Sequence, residues 1–177
     1  GPEAVEKYVR GLGIENTFIS ASEKTMHDRI ENQYLNRSTP TATARLIETF
    51  FENRLFASKY KKFLIRIMTE TSTGQDKLKG LLPPDCTVGH KTGSSDRTST
   101  GVKIADNDAG FVLTPDGKRY YIAVFVSDSQ EDDPTNASII ARISAIVYDF
   151  MIRPTDPNRP TLCHPESVSA DDAAGSP

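Results

Sequence analysis

The apolar residues change period twice along the chain. Ala42, Leu46, Ile47, Phe50 and Phe51 recur at helical spacing behind Thr39-Pro40, and Phe63, Leu64 and Ile67 mark a second, shorter amphipathic helix. From Thr87 the pattern becomes strand-like: a strand from Thr87 to Lys91, a polar loop from Ser94 to Asp106, a strand from Asp108 to Leu113, a tight turn at Pro115-Asp116-Gly117-Lys118, and a strand from Tyr120 to Val126. The run Phe111, Val112, Leu113, Ile122, Val124 and Phe125 is nearly continuous, which predicts strands buried on both faces. Helical spacing returns at Ile139, Ile140, Ile143, Val147, Phe150 and Met151, behind an Asp133-Pro134 read as cap and first-turn proline. The pattern predicts an α/β fold in which helices cover both faces of an antiparallel meander.

Two segments fit neither period. From Phe18 to Thr39 no long apolar repeat occurs, and Asn32, Gln33, Asn36 and Arg37 predict a loop; one of this length inside a compact domain is functional or disordered. From Arg153 onward Pro154, Pro157, Pro160 and Pro165 break any regular element, and the small, acidic residues 169 to 175 cannot bury enough apolar area to offset their ordering entropy. The expected organisation is one domain over residues 1 to 152 and a disordered tail over 153 to 177.

Charge and cysteine usage narrow the function classes. With 21 basic against 24 acidic residues, the cluster Lys59, Lys61 and Lys62 reads as a solvated helix face, and a nucleic-acid partner is not expected. No stretch reads as long and apolar enough to cross a bilayer. Cys86 is read as a small buried strand residue and Cys163 lies in the tail, so no disulfide framework is expected. Neither has metal-ligand spacing with His27, His90 or His164; no metal and no cofactor are predicted.

The candidate chemistry sits in His90-Lys91-Thr92-Gly93, followed by Ser94 and Ser95. At the end of a strand, lysine supplies a point charge, threonine a rotatable donor, and glycine lets a ligand run close to the backbone. Together they can grip a small carboxylate, although a hairpin lysine would look the same locally. A second candidate is Glu23-Lys24-Thr25-Met26-His27, where a carboxylate held beside a trapped water can act as a base and a residue four places on can reach the same water. Locally, Ala21-Ser22-Glu23 also reads as a helix N-cap followed by a first-turn acid, with His27 on the surface.

This succession resembles the C-terminal portion of a class A serine β-lactamase, of the extended-spectrum and cephalosporinase branch. Lys91-Thr92-Gly93 matches the family's Lys-Thr-Gly strand, Glu23 to His27 its Glu-x-x-Met-His variant, and Gly1 to Val5, Thr71 to Gly74 with Leu82-Pro83, and Leu113 to Gly117 match the flanking regions. The resemblance covers residues 1 to 152. It implies the three-layer sandwich shared with penicillin-binding transpeptidases, here incomplete at the N-terminus, and β-lactam hydrolysis through a serine acyl-enzyme. It also implies Glu23 as general base, His27 beside the hydrolytic water, Lys91 and Thr92 holding the substrate carboxylate with Gly93 beside the substrate, and the Ser94 N–H in the oxyanion hole. Residues 18 to 39 would be the omega loop. Most of the family closes that loop with an Arg–Asp ion pair; Ala21 and Asn36 stand there instead, so neutral hydrogen bonds and a roomier or more mobile pocket are expected.

The family's Ser-x-x-Lys and Ser-Asp-Asn motifs precede Gly1 in its order, and neither Ser22-Glu23-Lys24 nor Ser58-Lys59 is read as the nucleophile motif. The chain is therefore expected to be a partial product, a piece of a split chain or a decayed copy, inactive alone and with an exposed strand edge. Its implied partners are a β-lactam and the missing N-terminal segment. The complete protein would be a monomer and, by analogy, periplasmic or secreted. A penicillin-binding carboxypeptidase or transpeptidase fragment and a non-catalytic binding fragment remain the alternatives.

Overall fold

The computed structural model describes residues 1–52 and 55–153. The tail expectation and Cys163 fall outside them. Strands β1 (Thr87–Ser94), β2 (Lys103–Leu113) and β3 (Arg119–Ser129) form an antiparallel sheet in the order β1-β2-β3. The register runs Val88↔Val112, His90↔Gly110 and Thr92↔Asp108 across the first pair and Val112↔Tyr120 and Asp108↔Val124 across the second. The β2–β3 turn closes where predicted, with the Thr114 N–H donating to the Lys118 carbonyl and the Gly117 N–H to the Thr114 carbonyl, both at 2.9 Å.

All three strands exceed their predicted length. β2 begins at Lys103 rather than Asp108, and β1 continues to Ser94, because Lys103 and Asp106, like the predicted strand residue Asp108, are buried in the sheet and are not loop residues. Their charges are met inside: the Lys77 ammonium pairs with Asp106 and the His90 imidazole with Asp108. A charge buried against a partner is indistinguishable in sequence from a charge in solvent.

Helices lie against both faces. On one, Val88, Val112, Tyr120, Ile122 and Val124 pack with Leu78 and with Ile140 of α5 (Asp133–Ile152). On the other, Phe51 of α3 (Pro40–Glu52) sits 4.4 Å from the Phe111 ring and 5.6 Å from the Tyr121 ring, measured between centroids. Helix α1 (Pro2–Gly11) joins α3 through Val9, Ile14 and Ala42, and α4 (Ser58–Thr69) follows; the short helix α2 is Glu23–Asp28.

Several expectations change in detail. Asp132, not Asp133, caps α5, its carboxylate accepting the Thr135 N–H at 2.8 Å. Of the predicted α5 stripe, Ile140 is fully buried while Ile139, Ile143 and Phe150 are exposed, because the helix has a single sheet face to lie on. Phe63 and Ile67 of α4 are exposed too. By length and composition alone α5 could cross a bilayer, a test that the core helix of a compact domain also passes. Its buried side is nevertheless built into the protein: Ser144 Oγ donates to the Leu78 carbonyl at 2.8 Å and Asn136 Oδ1 accepts from Ser129 Oγ at 2.7 Å. Cys86 is buried but precedes β1 by one residue, and burial pushes its thiol pKa up.

Candidate active site

Residues 18 to 39 are not an irregular loop throughout. They carry α2 and a 3-10 turn, Ile30–Tyr34, between two arms that meet at a Phe18↔Arg37 bridge, with the Phe18 N–H donating to the Arg37 carbonyl at 2.8 Å and the return bond at 3.0 Å. The Arg37 and Arg10 guanidinium groups lie 4.3 and 5.0 Å from the Phe18 ring centroid. Asn36 closes the neck without charge: Oδ1 accepts the Ser20 and Ala21 N–H groups and Nδ2 donates to the Ala21 carbonyl, all at 2.9 Å.

Two further ties fix this loop to the domain. Glu6 of α1 accepts the Ile19 N–H at 2.7 Å and Arg10 Nε at 2.9 Å, and these bonds hold its carboxyl below the usual carboxylate range. At the far end the Tyr34 hydroxyl donates to the Asp128 carboxylate beyond the middle of β3, which raises the Tyr34 phenol pKa.

So anchored, the loop presents Glu23 and His27. Ser22 caps α2 by accepting the Thr25 N–H at 3.2 Å, which starts the helix at Glu23 and puts His27 one turn on, its Nε2 3.3 Å from Glu23 Oε1. The cap reading and the base reading are thus compatible: the same turn that makes Glu23 a first-turn acid aims it beside His27. Across from them β1 supplies Lys91, Thr92, Gly93 and Ser94. One cavity of about 500 Å³ is lined by all six residues.

Met26, Gln33 and Asn107 line it as well, and none was a sequence candidate. Asn107 pairs with Gly93 in the register, and reading β2 from Lys103 would have placed it there. Gly93 has nothing within 4 Å of where a Cβ would project, so the space beside it is open to a ligand. Thr92 Oγ1 lies 3.2 Å from Thr73 Oγ1, and the Lys91 ammonium folds back to the Thr92 carbonyl. The Ser95 hydroxyl donates to the Asp96 carbonyl at 2.7 Å and accepts the Ala105 N–H at 3.0 Å, which closes the cavity's rim.

Ser58 and Lys61 stand three residues apart at the start of α4. The Lys61 ammonium bonds to the Phe51 carbonyl and neither residue lines this cavity, so the pair is not placed as a nucleophile. Among the described residues no cluster of three or more His, Cys, Asp or Glu side chains could hold a metal ion.

The profile of the β-lactamase enzyme family matches residues 1–151. The chain belongs to that family. It is 52% identical over 152 residues to a β-lactamase of Bacteroides uniformis, covering 85% of this chain and 51% of that protein. To the extended-spectrum β-lactamase PER-1 of Pseudomonas aeruginosa it is 37% identical over 153 residues, covering 86% and 49%. A solved class A β-lactamase from Bacteroides cellulosilyticus superposes with a TM-score of 0.82 at 56% identity, over 85% of this chain and 54% of that one. The chain thus spans about half the length of the β-lactamases it matches, and the sheet and its covering helices are the C-terminal part of the class A fold.

Proposed function

We propose that this chain supplies the deacylating and carboxylate-gripping half of a serine β-lactamase site. The observation that carries the reading is the convergence of Glu23 and His27 from the loop with Lys91 to Ser94 from β1 on one cavity. In this reading a serine outside these residues attacks the β-lactam carbonyl, its oxygen bonds to the acyl carbon, the ring C–N bond breaks, and the hydroxyl proton ends on the departing nitrogen. Glu23 then takes a proton from a water as the water oxygen adds to the acyl carbon; collapse breaks the ester C–O bond, that proton passes to the serine oxygen, and the ring-opened acid is released. His27 orders that water, and the Ser94 N–H is one oxyanion donor. Lys91 attracts and holds the substrate carboxylate while Thr92 orients it.

Exposure suits these roles. Glu23 and His27 side chains are 79% and 65% exposed, so substrate and water reach them directly. A transpeptidase of the same fold passes its acyl group to an amine, and the penicillin-binding carboxypeptidases lack a deacylating Glu, so the Glu23 to His27 pattern favours the lactamase reading over that alternative. Export to the periplasm or beyond, a cephalosporin preference and a monomeric complete enzyme belong to the same proposal.

The deciding experiment is Glu23→Ala in the complete protein. Brief exposure to a cephalosporin should leave a stable acyl adduct in the mass spectrum, because acylation proceeds and water is no longer activated. Rapid turnover without an adduct would assign the water to another base. Neither turnover nor adduct would favour a non-catalytic binder.

A further inference from the structure

Directly behind the Lys91-Thr92 grip lies a buried polar pair to which the reaction above assigns nothing. His90 is 1% exposed and Asp108 fully buried. His90 Nδ1 stands 2.8 Å from Asp108 Oδ2 and 3.0 Å from Oδ1, and Oδ2 also accepts the Leu78 N–H at 3.2 Å. His90 Nε2 has no hydrogen-bond partner among the described residues. An apolar side chain would fill this space without a desolvation cost, so the histidine is favourable only through what its Nδ1–Asp108 contact holds in place.

What it holds is the segment from Thr73 to Leu78. That segment is fastened to the sheet at four points. Thr73 meets the Thr92 hydroxyl, Gly74 lies over Thr92 and His90, Lys77 pairs with Asp106, and Leu78 reaches Asp108. The approach at Gly74 is as close as the chain allows: its φ is +63°, and a Cβ there would fall 2.3 Å from Thr92 Cγ2. Across the register Gly110 lets β2 run close against the His90 backbone, since a Cβ there would fall 2.1 Å from the Gly89 carbonyl oxygen and 2.8 Å from His90 Cα.

We propose that His90, oriented by Asp108, is a positioning residue for the Lys91-Thr92 grip: the pair docks residues 73 to 78 against β1 so that Thr73 sets the direction of the Thr92 hydroxyl. This rests on reading Lys91 and Thr92 as the carboxylate site. His90 touches no substrate. It acts through Asp108, the docked segment and Thr73, and its effect falls on binding rather than on the bond-breaking step.

The test compares His90→Leu, His90→Asn and Thr73→Val in the complete protein, using a carboxylate-bearing β-lactam and its methyl ester. His90→Leu should raise KM for the acid about tenfold with kcat little changed, and leave the ester unaffected. His90→Asn, which keeps an N–H toward Asp108, should recover most of the loss. Thr73→Val should reproduce the KM shift without a change in melting temperature, so the proposal stays testable if His90→Leu fails to fold. Equal losses for acid and ester, or no KM shift in Thr73→Val, would overturn it.

A readout independent of turnover separates this from the proposed function. In the 15N spectrum of the wild-type protein His90 should carry its proton on Nδ1, and the Thr92 amide should move in Thr73→Val and in His90→Leu. A bare Nδ1, or a Thr92 amide that stays in place, sinks the positioning role even if β-lactams are hydrolysed. Both signatures present in a protein that hydrolyses none would uphold the positioning and reject the lactamase reading.

Discussion

Lys91 and Thr92 are neighbours in the chain yet act on a carboxylate in different ways, and the difference can be measured. The lysine adds a long-range field to its contact; the threonine adds only an oriented donor. Hydrogen bonds to a charged group are worth about 1.5–3 kcal/mol, so Thr92→Ala should cost on that order in transition-state binding and Lys91→Ala more. Lys91→Arg should restore part, since charge survives while the planar fork fits imperfectly. The check is kcat/KM for a carboxylate-bearing β-lactam against its methyl ester; if Lys91→Ala slowed both equally, the lysine would belong to structure or proton transfer instead. Gly93→Ala isolates the ligand's path. Because a Cβ there meets nothing, thermal stability should stay within about 0.5 kcal/mol of wild type while kcat/KM falls. An unchanged kcat/KM would mean that substrate does not pass this residue.

At the scale of elements, the loop carrying Glu23 depends on one neutral carboxamide, Asn36, and two carboxylates, Glu6 and Asp128. Asn36→Leu leaves the Ser20 and Ala21 N–H groups without their acceptor, which should cost about 1–3 kcal/mol in chemical denaturation and slow deacylation more than acylation. Glu6 gives the neck its pH dependence. Its folded pKa is depressed, so its stabilisation is fully present above the ordinary glutamate value and is lost as pH falls through the lowered one. Glu6→Gln should therefore destabilise the protein at neutral pH, and the gap to wild type should close on acidification, as paired denaturant melts down to about pH 3 would show. Such loop detail was only partly legible in sequence. The substitution of Ala21 and Asn36 for an ion pair pointed to neutral closure, but nothing local announced that Glu6, thirteen residues away, or Asp128, ninety-four residues from Tyr34, would tie the loop down. The meander was read from Val88, Phe111 and Ile122, whereas the first half of β2 was missed because Lys77, the partner of Asp106, is remote in the chain.

For the whole molecule, the six candidate residues were found from short motifs because chemistry is concentrated at the loop and at β1, while the partners that support them are scattered. Among the described residues the outer edges of β1 and β3 are unpaired, and α5 leaves Ile139, Ile143 and Ile146 exposed. A chromogenic cephalosporin should accordingly stay intact with the 177-residue chain alone and be hydrolysed when the serine-bearing part of the fold is supplied; hydrolysis by the isolated chain, abolished by Glu23→Ala, would reject the division of labour argued above. β1 itself imposes a rule of parity on how this protein can vary in length. His90 points into the core and Lys91 into the cavity, so one residue gained or lost upstream within the strand would exchange them, sending an ammonium into the buried carboxylate layer and an imidazole toward substrate. Single-codon insertions there should be lethal to function and double ones less so, and the hairpin beyond gives no slack, since the Ser95 N–H donates to the Ala105 carbonyl at 2.8 Å and Arg97 bridges to Lys103.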